Sequence, residues 1–289
     1  MSHPALPLNA ATTIADLRRH VADWRADGRR VGFVPTMGAL HEGHLALVRQ
    51  ALKAADRVVV SVFVNPAQFA QGEDFDSYPR TLEEDAAKLA RTGAQLIYAP
   101  AARQIYPDGF ATEVRMGGPA AGLESAARPH FFHGVALVVA KLLNQVRPDI
   151  AVFGEKDYQQ LLVIRRLAID LDLDVEILAG ETVREADGLA LSSRNAYLSP
   201  EDRRRAGRLN VILAEFALAL SEGAPARAAE AEAVSKAERV FDAVDYVTAR
   251  DAGTLGALPD GPIQGPVRVL AAVKVGSTRL IDNMAVTPP

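Results

Sequence analysis

The stretch "RVGFVPTMGALHEGHLALVRQALKAAD", residues 30–56, joins two different patterns across one loop. Its first seven residues are a nearly continuous apolar run, as in a strand buried on both faces. Residues 44–56 space their apolar side chains as an amphipathic helix does. Between them lie Gly38, Gly43 and two imidazoles, His41 and His44, three positions apart. Positions so spaced share one helix face. In an open α/β sheet, ligands bind beyond the carboxyl ends of the strands, where helix N-termini offer unpaired N–H groups. The pair can therefore aim at one anionic group, and Gly43 leaves room for a flat ring or a ribose. A lone pair of this kind is more often an ordinary surface or core feature, but the strand–loop–helix setting favours function. Its spacing is three, not the four of the zinc-protease motif.

The alternation extends outward from this stretch. Strands are expected at "RVVVSVFVNP" (57–66), "AQLIYAP" (94–100), "DIAVFGE" (149–155) and "DVEILAGE" (174–181), and helices at 81–93, 134–146 and 158–171. In "TLEEDAAKLARTG", Thr81 reads as N-cap, Glu84 occupies the capping-box position and Gly93 is the stop. This order predicts a Rossmann-like, doubly wound parallel sheet of the α/β class. The pattern changes near residue 190. One helix is expected over 199–223, with Ser199 as N-cap, Pro200 first and Gly223 as stop. An alanine-rich helix over 225–241 follows, then strands at "VDYVTARD" and "VRVLAAVKVGSTRLIDNMAV" with a turn at Gly276-Ser277. The expected domains are residues 1–185 and a smaller α+β domain over 186–289.

Composition narrows the function. With 289 residues, 49% hydrophobic and 24% charged, the chain can build a full core. A net charge of −4 gives no broad basic field for nucleic acid, and Arg203-Arg204-Arg205 reads as solvated helix surface. The absence of cysteine excludes disulfides, thiolate nucleophiles and cysteine-ligated metal centres. The opening "MSHPALPLNAATT" does not read as a secretory signal. The longest apolar run, Val135 to Ala140, is too short to span a membrane. A soluble, cytoplasmic protein without nucleic-acid or membrane partners is expected.

Further polar motifs fall at strand ends. "FVNPAQF" (63–69) offers the neutral amides Asn65 and Gln68 around Pro66, suited to orienting a polar substrate without bringing charge. In "FGEKDYQQ" (153–160), Gly154 admits a ligand to the backbone, Lys156 can meet a phosphate, and Gln160 lies on the first helical turn. "VREADGLALSSRNAYLS" (183–199) carries Ser192, Ser193 and Arg194, read as a mobile phosphate clamp. Taken singly, a turn asparagine or a solvated lysine is the plainer reading. Four such motifs at one sheet edge favour phosphoryl chemistry on a nucleotide.

The segments "PTMGALHEGHLALV", "FVNPAQF", "DFDSYPRTLEED", "FGEKDYQQLLVIRRL" and "VREADGLALSSRN" together closely resemble the pantothenate synthetase family, the ligases of pantoate and β-alanine. The resemblance runs in order from residue 30 to 200 and continues more weakly through "DYVTARD" and "RLIDNM". A His-x-Gly-His alone would indicate only the wider nucleotidyltransferase superfamily. What the resemblance implies is a two-step reaction. Pantoate carboxylate attacks the α-phosphorus of ATP to give pantoyl adenylate and pyrophosphate, and the β-alanine amine then displaces AMP. By this likeness Met37, Gly38, Ala39, Leu40, His41, Glu42, Gly43 and His44 form the ATP-facing loop, with His44 the catalytic histidine and His41 its partner. Gln68 and Gln160 hold pantoate, Gln68 also lies near β-alanine, and Asn65 is taken as a further substrate contact. Gly154, Glu155, Lys156 and Asp157 line the nucleotide site, while Val183, Leu191, Ser192, Ser193 and Arg194 close over ATP. Lys156 and Arg194 join the histidines in neutralising charge. The likeness also implies magnesium with the ATP and a homodimer; because a mixed anhydride hydrolyses readily, closure of the smaller C-terminal domain is expected to shield the adenylate from water.

One segment departs from the family. Where the family reads Arg-Pro-Gly-His-Phe, "RPHFFHGVALVV" (128–139) puts His130 for the glycine and Phe131 for the histidine, and adds His133. The loop "AQGEDF" (70–75) also lacks the family's frequent Gly-Pro. A metal site built from His41, His44, His130 and His133 is set aside, because the likeness explains the first pair without metal. Two other readings stay open: an adenylyltransferase acting on another small acid, and a non-catalytic nucleotide-binding module.

Overall fold

A computed structural model describes residues 6–69, 75 and 78–288. The expected segment 70–75 lies, apart from Phe75, outside the described residues. The chain divides into two compact units, one of residues 1–155 and 163–181, the other of residues 156–162 and 182–289.

The first unit is a parallel sheet with helices on both faces. In chain order come β1 (Ala10–Ala11), α1 (Ile14–Ala26), β2 (Val31–Thr36), α2 (Glu42–Ala54), β3 (Arg57–Val62), α3 (Leu82–Thr92) and β4 (Leu96–Tyr98). Then follow α4 (Ala102–Ile105), α5 (Glu124–Ala127), α6 (Phe131–Val146), β5 (Ile150–Gly154), α7 (Tyr158–Asp170) and β6 (Glu176–Gly180). The strand order is β1-β4-β3-β2-β5-β6, so the direction of winding reverses between β2 and β5. That switch point is where open α/β sheets leave a crevice at the carboxyl edge. Alternate strand residues serve opposite faces. Val34, Val58, Val60, Ile97, Ile150 and Val152 pack with Val48 and Ala51 of α2 and Ala86 and Leu89 of α3. The other face carries the buried Phe33, Val59 and Tyr98, and the Tyr98 hydroxyl donates to Gln145 Oε1 of α6 at 2.8 Å.

Local chemistry moves several element ends from their expected places. The helix expected at 44 begins at Glu42, because extended His41 (φ −126°, ψ 175°) serves as N-cap. Thr81 caps by position only: its hydroxyl donates to Asp85 Oδ2 at 3.2 Å, so the expected capping box with Glu84 does not form. Gly93 ends α3 in the left-handed region as expected (φ 89°). Helix α6 starts at Phe131, three residues before the expected Gly134, and stops on left-handed Arg147 (φ 51°) without a glycine. Strand β1 and helix α1 carried no expectation. Thr13 caps α1 by accepting the Asp16 N–H at 3.1 Å.

The second unit contains a three-stranded antiparallel sheet, β7 (Ala243–Asp251), β8 (Val267–Val275) and β9 (Thr278–Val286), in the order β7-β8-β9. Its helices are α8 (Pro200–Ala206), α9 (Arg208–Ser221) and α10 (Ala226–Glu238). The single helix expected over 199–223 is thus two. They break at Gly207, where a Cβ would press on the Asp187 carboxylate. Leu209, Leu213, Phe216, Ala233, Val269 and Val273 form the middle of this unit's core. Among the described residues, no helix is long and apolar enough to cross a membrane.

One contact ties the fold to the site. A Cβ on Gly134 would collide with the Ala67 carbonyl oxygen, so α6 meets the turn after β3 backbone against backbone. Gly134→Ala is expected to cost about 1–3 kcal/mol, as overpacking does. A urea midpoint within error of the unsubstituted protein would refute this.

Candidate active site

The turn from β2 into α2 is built largely by α3. Gly38 (φ +87°) and Ala39 (φ +51°) are successive left-handed residues, which turns the N–H groups of Ala39 and Leu40 toward Asp85. Its carboxylate, fully buried, accepts the Ala39 N–H at 2.9 Å and the Leu40 N–H at 2.8 Å. One turn along α3, Lys88 Nζ donates to the Leu40 carbonyl at 2.7 Å. Two side chains of one helix face therefore fix both polarities of the loop backbone. Neither was expected to take part. The available signal was an acidic residue on the apolar stripe of α3 with Ala86 and Leu89.

His41 and His44 sit together at the mouth of α2, with ring centroids 4.1 Å apart. The His41 N–H donates to His44 Nδ1 at 3.3 Å. A ring nitrogen that accepts carries no proton, so neutral His44 has its proton on Nε2 and offers a donor there. His44 thereby occupies the place of a capping-box glutamate. The positive end of the helix dipole lies at the same mouth. Glu42, on the first turn, is exposed and paired with Arg49, whose hydrogen bond holds its carboxyl below the ordinary value. Gly154, at the end of β5, faces Leu47 of α2, where a Cβ would lie 3.8 Å from Leu47 Cδ1.

At the end of β3, a 3-10 turn over Pro66–Gln68 carries the two amides. Asn65 is only 1% exposed. Its Oδ1 accepts the Ala67 N–H at 3.2 Å and the Tyr106 hydroxyl at 2.7 Å. Its Nδ2 donates to the Gly134 carbonyl at 3.2 Å and to Gln68 Oε1 at 3.3 Å. Expected as a substrate contact, Asn65 instead turns its whole amide inward. Gln68 is half-buried, with Nε2 2.9 Å from Met37 Sδ, which brings the loops after β2 and β3 together.

The atypical segment supports the same turn. Arg128 Nη2 donates to the Gln68 carbonyl at 3.0 Å, and its guanidinium lies over the Phe131 ring at 4.0 Å from the centroid. Phe132 is buried with Ala120 and Val163. His133 Nδ1 accepts the Met116 N–H at 3.2 Å, while His130, N-cap of α6, is exposed. Among the described residues, no group of three or more His, Asp or Glu could hold a metal ion, so the four histidines do not gather.

The second unit holds the other motifs. Lys156 and Asp157 lie in a 3-10 turn, and Gln160 is half-buried on the first turn of α7. Asn283 Nδ2 donates to the Lys156 carbonyl at 2.9 Å. Arg268 lies over the Tyr158 ring at 4.1 Å, and the Tyr158 hydroxyl donates to the Ala252 carbonyl at 2.8 Å. Residues 183–191 form a hairpin, closed by Leu191 N–H to Val183 O at 2.9 Å and turned at Gly188 (φ +88°). Arg184 grips Asp282 bidentately at 2.7 and 2.9 Å, and Asp282 is 3% exposed. Adjacent residues of β9 thus brace both the Lys156 segment and the hairpin. Beyond it, Ser192 Oγ accepts the Arg194 N–H at 3.3 Å and opens a 3-10 turn over Ser193–Tyr197. Asn195 Nδ2 ties this turn to the Ala190 carbonyl at 3.1 Å. The loop read as a mobile phosphate clamp is a capped turn on a braced hairpin.

Comparison with known proteins matches this arrangement to a family along nearly the whole chain. The family model described as Pantoate-beta-alanine ligase matches residues 9–285. A pantothenate synthetase of Maricaulis maris is 64% identical over 96% of this chain and 97% of its own length. One from Caulobacter vibrioides is 55% identical over 95% of this chain and 97% of its own. The crystal structure of pantothenate synthetase from Thermus thermophilus superposes with a TM-score of 0.91 at 45% identity, covering 97% of this chain and all (100%) of that one. The Francisella tularensis pantoate-beta-alanine ligase, complexed with beta-gamma ATP and beta-alanine, gives 0.77 at 31% identity over 96% and 97% of the two chains.

Two outcomes are expected from these contacts. Asp85→Asn puts an NH2 group where one of the two N–H donors needs an oxygen, and an unsatisfied buried group costs about 1–3 kcal/mol. The protein should fold with a lowered unfolding midpoint and a loosened 37–41 turn, read as faster amide exchange at Ala39 and Leu40. Unchanged exchange there would count against the clamp. Separately, the Arg203 guanidinium beside Asp187 holds that carboxyl below its ordinary value of 3.8. A depressed folded pKa gives stability that is complete above 3.8 and lost as pH falls through the lower folded value. Asp187→Asn should flatten that acid limb of the stability–pH curve, and an unaltered limb would contradict it.

Proposed function

The chain belongs to the pantoate–β-alanine ligase family, and we propose that it joins pantoate to β-alanine with ATP, through a pantoyl adenylate, releasing pyrophosphate and AMP. The observation that carries the reading is the mouth of α2. Two imidazoles and a helix N-terminus converge there beside the switch point of a parallel sheet, a setting suited to a polyphosphate. In the first step a pantoate carboxylate oxygen bonds to the α-phosphorus and the bond to pyrophosphate breaks. In the second the β-alanine nitrogen bonds to the acyl carbon, that carbon's bond to AMP breaks, and the amine sheds a proton.

Each residue has a role in this reading. His44 donates from Nε2 to a phosphoryl oxygen as charge develops, with His41 setting its tautomer through the backbone N–H. Residues 37–44 and Gly154 to Asp157 receive ATP, Lys156 meets phosphate, and Val183 and Leu191 to Arg194 cover the nucleotide. Gln68 and Gln160 hold pantoate, and Asn65 acts through Gln68. These roles belong to a nucleotide- and pantoate-binding domain over 1–185 and a smaller domain over 186–289. Magnesium suits ligands supplied chiefly by substrate phosphates and water. Bound there, the ion would neutralise triphosphate charge. A cytoplasmic homodimer is part of the same proposal.

The test is pyrophosphate release from ATP. Release that requires pantoate, followed by β-alanine-dependent AMP, supports the ligase; release with other small acids alone points to a different adenylyltransferase. His44→Ala and Lys156→Ala should each slow adenylate formation by about 10²–10³, as loss of one preorganised donor does. Near-normal turnover in either would remove that residue from the mechanism. Gln160→Ala should raise the pantoate requirement and leave ATP affinity within a few-fold, and lost ATP binding in calorimetry would reassign it.

A further inference from the structure

The amide of Asn65 has no choice of orientation. A backbone N–H can only donate, so the Ala67 N–H at 3.2 Å fixes Oδ1. A backbone carbonyl can only accept, so the Gly134 oxygen at 3.2 Å fixes Nδ2. The Tyr106 hydroxyl, 2.7 Å from Oδ1, must therefore be the donor. Nδ2 in turn faces Gln68 Oε1 at 3.3 Å, which makes that oxygen the acceptor and leaves the Gln68 NH2 on the other side. Among the described residues it meets there the Met37 thioether at 2.9 Å, a weak acceptor that a carboxylate oxygen easily displaces.

We propose that Tyr106 is a positioning residue: it holds in place Asn65, whose amide sets which end of the Gln68 amide faces the acid substrate, so that Gln68 meets an oxygen acceptor as a donor. The role rests on the assignment of Gln68 to pantoate made above. Tyr106 suits it in two further ways. Burial pushes its phenol up to about 12, so it remains a donor across the working range of pH. Its ring is held by packing against Phe110 at 5.3 Å and Phe63 at 6.4 Å between centroids. Without the phenolic proton, Asn65 keeps its backbone bonds but loses its shortest contact, and the longer bond to Gln68 Oε1 loosens. The Gln68 amide can then rotate, and in half of its orientations an oxygen faces the substrate carboxylate.

The variant Tyr106→Phe keeps the ring and removes only the hydroxyl. Pyrophosphate release would be measured against pantoate and against ATP for both proteins, with thermal melting of each. The expected result is a KM for pantoate raised about three- to thirty-fold, the effect of losing one buried hydrogen-bond partner. The KM for ATP should stay within about two-fold, since the nucleotide does not read this amide. A pantoate KM that does not move overturns the role. Equal rises in both KM values with a lowered melting temperature also overturn it, because they mark general loosening. Wild-type protein that shows no pantoate-dependent release would overturn the ligase reading instead, so the two failures are told apart.

Discussion

One buried carboxylate holds the turn on which the rest of the site depends. Successive left-handed residues at 38 and 39 strain the backbone, and a non-glycine residue there costs roughly 1–2 kcal/mol. They also aim two N–H groups into the protein, where leaving them unpaired would cost more. Asp85 answers both, since hydrogen bonds to a charged acceptor contribute about 1.5–3 kcal/mol each. The entry of α2 follows from that turn, and with it the places of His41 and His44. Position 38 is glycine for a spatial reason as well, since a Cβ there would lie 3.1 Å from the Asp85 carboxylate.

The two loops that converge on Met37 and Gln68 divide the work by charge type. The α2 mouth gathers partial positive charge from imidazoles and a helix end, as an anion requires. The β3 turn uses only neutral amides and a phenol, linked so that each donor has a fixed acceptor. Such a chain can select by polarity without adding a charge that ATP would also feel. It survives because Gly134 lets α6 approach closely enough for its carbonyl to hold Asn65. Arg128 adds a second hold on Gln68 through its carbonyl, and Phe131 supplies the surface on which Arg128 rests.

The sheet was legible because its strands are short, apolar and β-branched, and its helices keep their period. The glycines at 93 and 223 were readable as stops for the same local reason. The histidine pair was legible as a feature of a strand–loop–helix turn but not as a cap, since imidazole is not an ordinary capping group and only the geometry reveals Nδ1 as an acceptor. Asp85 carried no expectation, although the apolar stripe it interrupts was visible. Tyr106, Arg184, Asp282 and Asn283 act across long sequence separations, 98 residues for the Arg184–Asp282 pair. No local pattern encodes such pairings. The break at Gly207 was hidden because the helical period continues across it, and only the approach of Asp187 shows why the glycine is there.

The hold on Lys156 has a consequence for how the protein is made. The Asn283 side chain that donates to the Lys156 carbonyl lies 127 residues further along the chain. At roughly 5–20 residues per second, a ribosome needs on the order of 6–25 s to travel that distance. Before that interval ends, every motif of the first unit, together with Lys156 and Arg194, has been polymerised. The segment bearing Lys156 still lacks the strand that fixes it. A growing chain therefore carries the site's chemical groups well before it can hold them in place, and that brace is acquired only when β9 joins its sheet.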